Sequence, residues 1–299
     1  MVAELDRRKE PEGRAAFQIG ASTEQKNPFR NEDQHFVLPN QMAAGVFDGV
    51  GGTINGQGAA IKARDWMNMI LRQYPVGTDF HLVRENLRVP LRQVSGIISE
   101  DPEDGSKRRG KNRGMGTTAS VAVICPGASY TGDDIAVIGN VGDSRVYIFR
   151  GETGEVDQAT LDDSSVRKYG DGKKDAKELQ KRAGLADDPG EIHIMFSRSF
   201  RSEVNQVVGD ETIEPRINHV QLSLEKGDKV IITSDGIHDN LTDGEIAQTV
   251  AESATAQLAS ENLVQKAKER SLDTDHPRAK PDDMTAVVMG NYKIAVNSS

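Results

Sequence analysis

Five short acidic segments set the chemistry this chain could do. Asp48 ends the apolar run 43–47 and is followed by Gly49-Val-Gly-Gly52. Asp235 closes the run 230–234 and is followed by Gly236. Asp143 comes one glycine after the run 135–141. Asp282 and Asp283 stand immediately before the run 284–289, and Glu32 and Asp33 just before the run 35–38. A carboxylate at the end of a core strand is costly to desolvate unless something balances it. The sequence offers no matching set of Lys or Arg at these ends, which leaves hard divalent cations, Mn²⁺ or Mg²⁺, that accept all-oxygen ligand sets. Glycine after Asp48 and Asp235 removes side-chain bulk, so that carbonyls, water and a phosphate can approach. One Asp-Gly alone reads equally well as a turn after a strand. The same placement at several run ends argues for a shared site.

The elements that must position these carboxylates are legible as short apolar runs. Residues 36–38, 43–47, 118–125, 135–141, 146–149, 230–233 and 285–289 are β-branched or apolar, bounded by Gly or Asp, and read as strands. Ala59, Ala63, Trp66, Ile70 and Tyr74 fall on one helical face, as do Leu87, Leu91, Val94 and Ile98. Pro90 is expected to kink the second helix or delay its start. Thr242 to Glu245 has capping-box spacing and opens a helix burying Ile246 and Val250, and Ser260 is expected to cap another with Leu263 and Ala267 inward. Met67 and Met69 are both expected in the core. Strands, a helix pair, more strands, a second pair and a last strand imply a layered α+β arrangement. Residues 1–14 read as a flexible lead-in, 15–294 as one domain, and 151–205 as an irregular, flap-like surface insertion.

Bulk properties exclude several classes. A net charge of -9 argues against binding a nucleic-acid backbone, which takes clustered Lys and Arg. Cys125, the one cysteine, excludes an internal disulfide and a cysteine-rich zinc site, and its place at the end of an apolar run reads as a buried thiol. The first residues are charged and carry no apolar signal-peptide core, and no run approaches membrane-spanning length. A cytoplasmic location with no membrane partner is expected. A nucleotide hydrolase is disfavoured because no Gly-x-x-x-x-Gly-Lys-[Ser/Thr] loop is present.

Taken in order, the acidic segments resemble the type 2C metal-dependent protein phosphatases. Arg30-Asn-Glu-Asp33 looks like that family's first acidic motif, and Val46-Phe-Asp-Gly-Val-Gly-Gly52 its Asp-Gly-x-Gly-Gly signature. Gly116-Thr-Thr-Ala119, Asn140-Val-Gly-Asp-Ser-Arg145 and Thr160-Leu-Asp-Asp-Ser164 are similar to three middle motifs. Ser234-Asp-Gly-Ile-His-Asp239 and Asp282-Asp-Met-Thr285 resemble the last two. The resemblance implies a four-layer α-β-β-α sandwich, two mostly antiparallel sheets flanked by helix pairs, with the metal site at one edge. It also implies hydrolysis of phosphoserine and phosphothreonine on proteins by a water activated between two divalent cations. Asp48 would bridge the two; the Gly49 carbonyl and Glu32 would serve one, and Asp235 and Asp282 the other. Asp33 would orient the attacking water, and Asp143 would help hold a third cation. The implied partner is a phosphorylated protein, with a serine/threonine kinase or a small regulatory phosphoprotein as candidates, met by a monomer.

The chain departs from the family pattern at three places. Val50 stands where animal members carry a histidine, a feature shared with bacterial-type members, so water or a metal-bound group must protonate the leaving oxygen. Pro28 stands where the family has its phosphate-binding arginine, leaving Arg30 as the candidate substitute. His238 replaces a frequent tryptophan and is expected to pack rather than to bind metal. The rival reading is a pseudophosphatase that binds a regulator without turnover. The basic stretch 107–113 is expected to be a solvated loop or a docking patch for an acidic partner.

Overall fold

The computed structural model describes residues 15–50, 55–100, 114–163, 204–210 and 212–293. Among the described residues, ten strands build two five-stranded sheets. In chain order they are β1 (Ala15–Glu24), β2 (Asp33–Leu38), β3 (Ala43–Asp48), β4 (Ala119–Cys125), β5 (Asp134–Val141), β6 (Arg145–Phe149), β7 (Val156–Gln158), β8 (Arg216–Leu222), β9 (Lys229–Thr233) and β10 (Met284–Lys293). One sheet runs β1-β10-β9-β6-β7 and the other β2-β3-β4-β5-β8, and all the paired strands are antiparallel. Helices α1 (Gly56–Leu71) and α2 (Phe80–Ser99) lie on the second sheet. On the first lie α4 (Asp243–Glu252) and α5 (Ala256–Leu272), preceded by the single turn α3 (Asp235–His238). The order is α-β-β-α, as the resemblance implied.

Strand residues here alternate between two cores, which is why the sequence shows apolar runs rather than an apolar/polar alternation. Val146 and Ile148 of β6 face the opposite sheet with Val230, Ile232, Val46 and Ala122, while Tyr147 and Phe149 face α4 and α5. Burying one such aliphatic side chain is worth about 1.5–3 kcal/mol. The buried stripe of α2 is the expected one: Leu87, Leu91, Val94 and Ile98 all point into the core. Helix α1 turns slightly differently, burying Met67 and Leu71 ahead of Trp66 and Ile70, and Tyr74 lies beyond its end.

Three local expectations are corrected. Pro90 does not delay the start of α2; the helix runs from Phe80, capped by Asp79, with Pro90 inside it. Ser260 is not a cap but an interior residue of α5, whose N-cap is Thr255. Met69 is exposed, and only Met67 of that pair is core. The capping box at Thr242 and Glu245 is formed as read. Cys125 is buried, and burial pushes its thiol up to about 11.

Residues 151–163 carry β7 and the buried carboxylates Asp162 and Asp163. Most of the expected flap (164–203), the lead-in 1–14 and the basic stretch 107–113 lie outside the described residues.

Candidate active site

The carboxylates picked out in the sequence meet at one edge of the sandwich because antiparallel pairing brings strand ends together. Asp33 begins β2 and Asp48 ends β3, and the two are register partners. The ladder continues one step further, with the Gly49 N–H donating to the Glu32 carbonyl at 3.1 Å. Asp235 follows β9, Asp143 follows β5, and Asp282 and Asp283 precede β10. A cleft of about 810 Å³ is lined by Glu32, Asp48, Asp143, Asp235, Asp282 and Asp283, against the cations Lys26, Arg30 and Lys280. Asp33 sits buried beside it.

Hydroxyl groups fix the frame. Thr118 Oγ1 accepts the Asp48 N–H at 2.9 Å and meets Ser144 Oγ at 2.7 Å, tying the ends of β3 and β4 to the Asp143 loop. Ser234 Oγ donates to Asp33 Oδ2 at 2.7 Å and accepts the Thr285 N–H at 2.9 Å, so one side chain joins the two sheets. The Asp283 carboxylate accepts the backbone N–H groups of Lys26 and Glu32 at 2.6 and 2.7 Å, holding the 26–32 loop over the cleft. Buried Asp162 pairs with Arg145 at 2.7 Å, and Asp163 accepts the Gly142 N–H at 3.2 Å and an ion pair from Arg216. These last two carboxylates support the Asp143 loop rather than line the cleft.

The two glycines after Asp48 and Asp235 do let carbonyls approach closely, and those carbonyls are the chain's own. A Cβ on Gly49 would lie 2.5 Å from the Gly56 carbonyl group, and one on Gly236 would lie 2.0 Å from the Asp283 carbonyl oxygen. Both are therefore needed for backbone to pack on backbone around the site, which no side chain permits.

The electrostatics are those of crowded acids. Burial first, and then the charges of Asp33, Asp235, Asp282 and Asp143, hold Asp48 well above the ordinary carboxylate range. Burial pushes Asp33 up to about 8, with Asp235 and Asp283 adding to it and the Ser234 hydroxyl opposing it. Asp143 is likewise raised well above that range by burial and then by Asp235. Asp235 rises to about 6, by burial against the opposing charge of Lys280. Glu32 is raised by burial against Arg30, which pairs with it.

One expectation fails in this detail: a basic residue does stand among the carboxylates. Lys280 Nζ contacts Asp235 and Asp239, the latter at 2.8 Å, and lies 3.3 Å from Asp282. Lys280, Asp239 and the anchoring role of Asp283 were missed in the sequence. Asp239 had a signal, being one helical turn after Asp235. Arg30 lies half-exposed at the rim, beside Pro28 and the fully exposed Phe29. His238 is buried, and its Nδ1 meets Thr233 Oγ1 at 2.9 Å, so it packs as expected.

The donor set can be tested against divalent cations on these observations. Two like charges placed directly opposite in a ladder are destabilising by themselves, and Asp33 Oδ1 is a buried oxygen with no hydrogen-bond partner among the described residues. All the donors are oxygen, the set hard dications take. Among the described residues no three His, Cys, Asp or Glu side chains converge on one point as a ready-made cation site; Asp235 and Asp282 are instead turned onto Lys280. The residues fit the cations in type and charge, with the Lys280 end closed onto its ammonium.

Two antiparallel sheets between helix pairs, with an acidic cleft at the shared edge, define a sandwich whose chemistry lies at strand ends. The comparisons with known proteins make this specific. The family model Protein phosphatase 2C matches residues 17–274, and the chain belongs to that family. Protein phosphatase PhpP of Streptococcus pneumoniae is 31% identical over 153 residues, 51% of this chain and 52% of that protein. The chain thus matches about half the length of the curated relatives. Two solved structures share the fold. The Streptococcus agalactiae serine/threonine phosphatase has a TM-score of 0.68 at 22% identity, covering 92% of this chain and 99% of that one. The catalytic domain of serine threonine protein phosphatase PstP, in complex with two manganese ions, has a TM-score of 0.65 at 21% identity, covering 93% and 100%.

Proposed function

We propose that this chain hydrolyses phosphoserine and phosphothreonine on proteins, using two divalent cations, Mn²⁺ or Mg²⁺, held in the acidic cleft. The observation that carries the reading is the gathering of Asp33, Asp48, Asp143, Asp235 and Asp282 at one sandwich edge in a Protein phosphatase 2C chain. Asp48 and Glu32, with the Gly49 carbonyl, would hold one ion; Asp48, Asp235 and Asp282 would hold the other. Asp143 would help hold a third. Bound there, divalent ions neutralise phosphoryl oxygens and acidify water.

The remaining roles belong to the chain itself. The Asp33 oxygen left without a hydrogen bond is the acceptor that orients an attacking water beside Asp48. Arg30, already paired with Glu32 through one nitrogen, keeps other donors at the rim for the phosphate. Val50 offers no proton, so the leaving serine or threonine oxygen takes its proton from water in the open cleft. Residues 15–294 would act as one domain, with the 151–205 stretch contributing to substrate choice. Among the described residues no helix is long and apolar enough to cross a membrane. We place the chain in the cytoplasm as a monomer, acting on the phosphoprotein substrates of a serine/threonine kinase.

The test is hydrolysis of para-nitrophenyl phosphate and of a phosphothreonine peptide with Mn²⁺, with Mg²⁺ and with EDTA, beside Asp48→Asn and Asp235→Asn. Metal-dependent turnover lost in both variants supports the reading. Folded protein without turnover under any metal overturns it in favour of a non-catalytic binding role.

A further inference from the structure

Lys280 is unusual in its surroundings. Its Nζ sits among the carboxylates of Asp235, Asp239 and Asp282, while its backbone is clamped on both sides by one buried amide. Asn240 Oδ1 accepts the Lys280 N–H at 2.9 Å, and Asn240 Nδ2 donates to the Lys280 carbonyl at 2.9 Å and to the Gly236 carbonyl at 2.8 Å. The main chain is thus fixed to the α3 turn, and only the four-carbon side chain is free to choose its place.

Asp235 and Asp282 are two of the carboxylates assigned to the second divalent ion. A dication ligated by their oxygens would lie within a few ångströms of Nζ, where like charges repel strongly in a poorly solvated setting. The ammonium and the ion compete for the same two carboxylates, whose Oδ2 atoms already face Nζ. At the other end, among the described residues, Lys280 pairs with neither Asp48 nor the Gly49 carbonyl but with Asp235, Asp239 and Asp282. Because the stem is flexible and Lys280 lines the open cleft, the ammonium has a route to water.

Resting on the metal-centre reading above, we infer that Lys280 is a built-in counter-cation for the Asp235–Asp282 end: divalent-ion uptake proceeds in two unequal steps, a tight one at the Asp48 end and a weaker one that must displace the Lys280 ammonium. The consequence is a phosphatase whose second metal loads only at higher free-ion concentration, while the acidic edge stays neutralised when that ion is absent. Lys280 is a positioning residue in this account, not a catalytic one.

The experiment is calorimetric titration of EDTA-stripped full chain with Mn²⁺, for wild type, Lys280→Met and Lys280→Arg. Wild type should bind in two classes at least about tenfold apart, since the charge-assisted hydrogen bonds lost on displacement are the strong kind. In Lys280→Met the weak class should tighten by about tenfold or more, and Lys280→Arg should stay close to wild type. Should the methionine variant fail to fold, acylation of wild type by an amine-reactive ester, read by mass spectrometry, replaces it. Lys280 should be protected in EDTA and become reactive over the Mn²⁺ range of the weak class. Superimposable isotherms for wild type and Lys280→Met, or a Lys280 still protected at saturating Mn²⁺, overturn the inference while leaving the metal centre standing. Absence of any Mn²⁺ binding by wild type overturns both.

Discussion

Asp33 on β2 and Asp48 on β3 stand directly opposite each other in an antiparallel ladder, two carboxylates side by side at the edge of a buried sheet. Ionised together, such a pair opposes folding, and the raised pKa values of both carboxylates reflect that conflict. The fold retains it, and sets more carboxylates around it.

Removing one of the pair should therefore separate stability from activity. Asp48→Asn is expected to stabilise the EDTA-treated protein by on the order of 1 kcal/mol, and to lower phosphatase activity by on the order of 100-fold or more, the scale of a lost metal clamp. Urea denaturation in EDTA and para-nitrophenyl phosphate hydrolysis in Mn²⁺ read the two effects. A variant both less stable and fully active would remove Asp48 from the site.

Asp283 should matter through the loop it holds rather than through metal. Asp283→Ala leaves the part-buried Lys26 and Glu32 N–H groups without their carboxylate, a loss of about 0.5–1.5 kcal/mol each. We expect about tenfold lower activity, because Glu32 and Arg30 lose their placement, together with faster proteolysis within 25–32. Unchanged activity beside an unchanged digestion pattern would show that the loop holds its position without Asp283.

His238 predicts an acid-side loss of stability. Burial, reinforced by Arg145, Lys280 and Arg278, keeps its pKa well below the usual 6.5. The unfolded chain takes up a proton below that value and the folded chain does not. The contribution is thus fully present above about pH 6.5 and declines as pH falls, by up to about 1.4 kcal/mol per unit. Urea stability of His238→Gln in EDTA should fall less steeply than wild type between pH 7 and 5. Parallel curves would mean that His238 is protonated in the fold.

The Arg145–Asp162 pair is a structural charge pair, and truncating one partner should show it. Asp162→Ala leaves the buried Arg145 guanidinium uncompensated, at a cost of about 3–5 kcal/mol. The double variant Arg145→Met with Asp162→Leu should recover most of that. Urea midpoints of the single and double variants check both statements; a single variant as stable as wild type would contradict the first.

The sequence by itself determined the layers and the acidic edge. Runs such as 135–138 and 230–232 are apolar throughout because each strand has a core on both faces, and the aspartates stand out just beyond the points where such runs stop. Asp33, Asp48, Asp143, Asp235 and Asp282 were legible for that reason. What only the tertiary structure decided is which charges answer them. Lys280 lies in a stretch without periodicity, and its reach to Asp235 and Asp239 depends on Asn240 clamping its backbone some 40 residues away in sequence. Gly49 and Gly236 read as room for carbonyls, water and a phosphate, and only the fold shows which carbonyls close on them, those of Gly56 and Asp283. Strand ends are local features that a pattern of burial writes into the sequence. Charge pairing across loops is set by where folded segments meet, and no spacing rule carries it.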